Sequence, residues 1–105
     1  MPTLVIHAPK DKVPEGAKSF EKTFKEGLGE GYAIARRLVD QVHRGCTVVL
    51  LDKVQKKRAE GRLIKLDPGE KTPQGIQRYD VYFKGQQIVD YKAEKLNRFG
   101  VALIE

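Results

Sequence analysis

Tryptophan is absent and cysteine occurs once, at Cys46, in a chain of 105 residues. A lone thiol excludes an internal disulfide and a cysteine-built zinc site, which agrees with a reducing compartment. Long apolar runs are missing too. The longest, Val48 to Leu51, is far too short to span a bilayer, and Met1-Pro2-Thr3-Leu4-Val5 lacks the basic segment that opens a signal peptide. A cytoplasmic protein with no membrane partner is expected. His7 and His43 have no carboxylates at ligand spacing, so neither a metal nor another cofactor is expected. Gly27, Gly29 and Gly31 alternate, but without the Lys-Ser/Thr pair of a phosphate loop they read as a flexible turn joining two helices. His43 and Cys46 lack an orienting third group, so Cys46 reads as a buried structural thiol and no catalytic residue is assigned.

Acidic residues are the minority, 14 against 20 Lys and Arg, for a formal charge of +6. Excess positive charge biases a protein toward polyanions, because each phosphate it neutralises releases condensed counterions. Charged residues still make up only 32% against 40% hydrophobic, a balance that suits a folded globular chain. The length fits one domain over residues 1–105 that buries a core without staples.

The stretch Gly31 to Lys53 organises the rest. Ile34, Leu38 and Val42 recur at intervals of four, with Arg36, Arg37, Asp40 and Gln41 on the opposite side, which predicts an amphipathic helix closed by Gly45. Thr47 to Leu51 follows as a strand buried on both faces. Before it, Thr3 to Ala8 reads as a strand, residues 10–18 as a surface loop, and Phe20 to Glu26 as a short helix capped by Ser19. After it come a cation-rich loop from Lys53 to Arg62 and a strand through Leu66. A polar loop over Asp67 to Gly75 then leads to an alternating strand from Ile76 to Phe83. Lys84-Gly85 predicts a hairpin turn with Gln86 to Tyr91 as its return arm. Ala93 to Arg98 suggests one helical turn and Val101 to Ile104 a buried last strand. About six short strands joined by short loops favour an α+β fold, a small and mostly antiparallel curved sheet or barrel with one main helix packed on it.

For chemistry, the decad Lys53 to Arg62 is the leading candidate. Lys53, Lys56, Lys57, Arg58 and Arg62 could meet phosphates, with Arg36 and Arg37 on the helix extending the patch; read structurally, they are solvated charges. Base recognition on single strands adds an aromatic platform. Tyr79 shares a face with Val81 and Phe83 and belongs to the core, whereas Tyr82 and Tyr32 are platform candidates. Three functions remain open: contact with RNA or DNA, protein interaction or assembly including a homo-oligomer, and an enzyme acting on a nucleotide or small metabolite.

Several motifs carry a resemblance. A first strand ending in Ala8-Pro9, then Tyr32-Ala33-Ile34-Ala35-Arg36-Arg37-Leu38 running into Val42-His43-Arg44-Gly45, resembles the EVE domain family and its PUA-like relatives. The strand from Gly61 and the segment Arg78-Tyr79-Asp80-Val81-Tyr82-Phe83 follow in the same order as in that family. The resemblance implies a PUA-like barrel in which Tyr32 lines a pocket. Cys46 stands where the family pattern has aspartate, and the family's tryptophans are missing, so the implication extends to the barrel and not to the base ligand.

Overall fold

A computed structural model describes residues 2–7, 20–34, 36–53, 55–96 and 101–104. In chain order the elements are β1 (Thr3–His7), α1 (Phe20–Glu26), β2 (Leu28–Ala33), α2 (Arg36–Val39), β3 (Thr47–Asp52), β4 (Lys57–Lys71), β5 (Gln77–Val89) and β6 (Val101–Ile104). The six strands form one sheet in the order β2-β5-β4-β3-β1-β6. Only β1 and β3 pair in parallel; the other four neighbouring pairs are antiparallel. The expected end of the first strand at Ala8-Pro9, the loop over 10–18, the Ser19 cap and the Asn97 to Gly100 stop lie outside the described residues.

Alternation explains both faces. The inner face buries Leu4, Ile6, Val48, Leu50, Leu63, Val81 and Phe83, with Phe20 of α1 and Ile34 packed onto them. The outer face buries a smaller group, Val5, Val49 and Leu51, beneath Tyr91 and Leu96. The sheet curls into a half-barrel, so β2 at one edge leans toward β1: the Tyr32 hydroxyl donates to the His7 carbonyl at 3.1 Å. Register shifts along β4 and β5 help it bend.

Several expectations are corrected, among them the polar loop from Asp67, since β4 runs on to Lys71. The long helix does not form. Tyr32 and Ala33 pair with Tyr79 and Arg78 of β5, and the Ile34 amide donates to the Gln77 carbonyl at 3.3 Å, so this backbone is already committed to the sheet. Among the described residues of this stretch only Arg36–Val39 is helical, and the amides of Gln41 and Val42 close the turn onto the Leu38 and Val39 carbonyls. Ile34 is buried, and Leu38 and Val42 still pack on the core, so the four-residue spacing is met by a strand end, a single turn and a loop. Gly45 accordingly caps no helix; its amide bonds to the Leu63 carbonyl at 2.8 Å and starts the β3–β4 pairing. Gly27 does close α1, its amide donating to the Thr23 carbonyl, but Gly29 and Gly31 belong to β2, so the three glycines form no turn between two helices.

A further correction concerns Lys84-Gly85, where β5 runs straight on. Glu60 pairs with Gln87 and Arg62 with Lys84, so β5 carries one residue more than β4 there, a bulge at Gly85 (φ 65°). Another is the cationic loop. Its turn is short, fixed by Asp52 accepting from the Gln55 amide at 3.1 Å, and β4 begins at Lys57. Residues 90–96 are not helical; they cross the outer face from β5 toward β6.

Candidate functional site

A strand sends successive side chains to opposite faces, so the basic decad cannot act as one patch. Lys53 and Lys56 stay exposed around the β3–β4 turn. Lys57 reaches α1, its Nζ 2.6 Å from Glu21 Oε1. Arg58 turns outward and is buried, only 8% exposed. Its guanidinium donates to the Lys92 carbonyl at 2.8 Å and to Glu94 Oε1 at 3.0 Å, with Glu60 Oε2 3.5 Å away. It serves as an anchor for the 90–96 segment.

Arg62 is placed differently. It sits exposed on the outer face, where its Nη1 donates to Thr47 Oγ1 at 3.3 Å and to the Gly45 carbonyl at 3.4 Å. Register puts Lys84 of β5 directly opposite. The next outward pair is Lys65 and Tyr82, with the Lys65 ammonium 4.7 Å from the centre of the Tyr82 ring. Among the described residues no ion pair neutralises Arg62, Lys65 or Lys84. Like charges placed directly opposite on a sheet face are destabilising. Arg62, Lys65 and Lys84 thus share the outer face with Tyr82, bounded along the strands by the Glu60–Gln87 pair on one side and Asp67–Asp80 on the other. A shallow recess of about 200 Å³ opens beside Arg62, between Thr47, Gly85 and Gln87.

Two of the residues singled out from sequence, Arg62 and Tyr82, are thus brought together. Lys65 and Lys84 complete the group and were not singled out, since nothing local marks them; only the pairing of β4 with β5 makes them neighbours. Arg36 and Arg37 are exposed on α2, and Arg36 lines a separate cleft with Lys71 that shares no residue with the Arg62 recess.

Tyr32 is partly buried. It packs on the core, and burial pushes its phenol well above the ordinary tyrosine value. The sign follows: above about pH 10 the unfolded chain loses this proton while the folded one keeps it, so stability falls as pH rises through that range. Stability measured by urea unfolding should fall more steeply with pH between pH 9 and 11, by up to about 1.4 kcal/mol per pH unit, in the native chain than in Tyr32→Phe. Equal slopes would remove Tyr32 as the cause. Cys46 is fully buried; burial raises its thiol pKa, against the lowering effects of the His43 backbone and the Arg62 charge. A protonated, inaccessible thiol does not fit nucleophilic chemistry. Among the described residues no group of three His, Cys, Asp or Glu could hold a metal ion, and no helix is long and apolar enough to cross a membrane.

Compared with known proteins, the chain matches no family model, no curated sequence and no solved structure at a significant level.

Proposed function

We propose that the chain is a small nucleic-acid-binding module, built on a PUA-like, EVE-related curled sheet, that meets RNA or DNA with the outer face of β4 and β5. The opposed Arg62 and Lys84 carry this reading. Two cations at opposed register positions without an acidic partner among the described residues repel in the free protein, and a phosphate that draws both converts that repulsion into attraction. Tyr82 supports it further. A partly exposed ring can stack only on an unpaired base, and Lys65 can leave the ring for a backbone phosphate when the base arrives. The Asp67–Asp80 pair on one side and Glu60 on the other disfavour a strand running along β4; a single strand crossing it meets cations first.

Titration of a fluorescent single-stranded oligonucleotide at several salt concentrations tests the proposal. Log affinity should fall linearly with log salt, and Arg62→Ala, Lys65→Ala and Lys84→Ala should each reduce the slope by roughly one. Tyr82→Ala should weaken binding about tenfold without changing the slope. Binding that is flat with salt, or unchanged by all four substitutions, ends this reading.

A second reading rests on Ile88. It is 62% exposed, on β5 opposite Ala59, which makes a protein-interaction or assembly surface the alternative. Light scattering that gave a dimer for the native chain and a monomer for Ile88→Ser would favour it.

A further inference from the structure

The polar turn at the far end of the β4–β5 hairpin faces α2 across an open cleft of about 690 Å³, within the range of small-molecule sites. Ile34, Val39, Ile76 and Tyr79 supply an apolar floor and walls. Arg36 enters from the α2 side and Lys71 from the hairpin, with Asp40 also on the rim. Although Asp40 lies four residues after Arg36, no ion pair joins any of these three charges among the described residues.

The hairpin wall is fixed in advance. Thr72 is buried; its hydroxyl accepts the Ile76 amide at 3.1 Å, its own amide donates to the Ile76 carbonyl at 2.7 Å, and its carbonyl accepts from Gly75 at 2.9 Å. The Gln77 carboxamide donates to the Gly69 and Arg78 carbonyls, which ties the cleft rim to both strands. Across the cleft, Ile34 is bonded to Gln77 through its amide. Walls set this way need little ordering when a ligand arrives.

We infer that this cleft is a binding site for a small amphipathic anion, one flat apolar or aromatic body carrying a single phosphate or carboxylate group. The planar guanidinium of Arg36 suits either head group bidentately and Lys71 adds a second positive charge, while the ring would lie against Tyr79 and the isoleucines. Asp40 selects against a second anionic group on the ligand and can accept from a donor on its body. The site is independent of the outer face of β4 and β5.

Phenyl phosphate, benzoate, neutral benzyl alcohol and inorganic phosphate, each titrated to about 10 mM, cover the affinities ordinary for ligands of this size. The readout is the amide NMR shifts of Gly75, Ile76 and Gln77. Phenyl phosphate or benzoate should shift these amides in saturable fashion, the tighter of the two identifying the head group, with benzyl alcohol and inorganic phosphate each at least about tenfold weaker. Arg36→Ala and Lys71→Ala, both at exposed positions, should each weaken binding about tenfold. The inference is overturned if neither aromatic anion shifts the three amides. Equal binding of benzyl alcohol, insensitivity to both substitutions, or shifts confined to Arg62, Lys65 and Lys84 would overturn it as well.

Discussion

Arg58→Ala should cost about 3–5 kcal/mol of stability, measured as a lower urea midpoint, because it strands a half-buried carboxylate. The Glu94 side chain is only 13% exposed, and its other cation, Lys92, lies 4.0 Å away with its own side chain largely in water. The substitution also leaves the Lys92 carbonyl without the donor that holds it. These contacts pin the 90–96 segment over Val5, Val49 and Leu51, so the loss should loosen the cover of the outer face as well as remove a charge pair. Replacing both partners, Arg58→Met with Glu94→Leu, should recover most of the loss, since an apolar pair avoids the desolvation of two charges. A single-variant cost under about 1 kcal/mol would place the pair among ordinary surface ion pairs. The same variant separates anchor from ligand contact: at temperatures where it is folded, its salt slope for an oligonucleotide should match the native chain's.

The strands were legible wherever alternation or a doubly apolar run marked them. Val48 to Leu51 is buried on both faces, and Tyr79, Val81 and Phe83 share the inner one, as their spacing predicts. What the sequence concealed depends on pairing between distant segments. Ile34, Leu38 and Val42 have helical spacing, yet β5 claims the backbone up to Ile34, and local pattern carries no information about that competition. Lys84-Gly85 fits a turn and a bulge equally well, since both use a left-handed glycine; β4, with 15 residues, is long enough to pair across it, and that decides for the bulge. The basic decad misleads for a related reason. Neighbours in a strand diverge, so Lys57 goes to α1 and Arg58 under the 90–96 segment, while the cations that do meet come from separate strands. Charge clustering in sequence is evidence of a surface patch in a loop and evidence against one in a strand.

The junction between α1 and β2 gives the other large effect: Gly27→Ala should cost about 3–5 kcal/mol, against about 1–2 kcal/mol for Gly31→Ala. Both glycines are left-handed, with φ of 67° and 74°, so an added methyl brings the same backbone penalty at each. Their surroundings differ. A Cβ at Gly27 would stand 2.5 Å from the Phe83 carbonyl oxygen, a backbone atom that cannot swing aside, whereas one at Gly31 meets nothing within 4 Å. Gly27 cannot back away either. Its amide closes α1 on Thr23 and its carbonyl accepts the Phe83 amide, each at 2.9 Å, so relief of the clash breaks either the last bond of the helix or the bond that joins it to β5. Similar costs for the two variants would mean that β5 yields at Phe83 and that the seam between α1 and the sheet is softer than its hydrogen bonds imply. A difference of about 2 kcal/mol would instead establish this close backbone approach as a fixed point that orients β2, and with it Tyr32 and the α2 wall of the cleft.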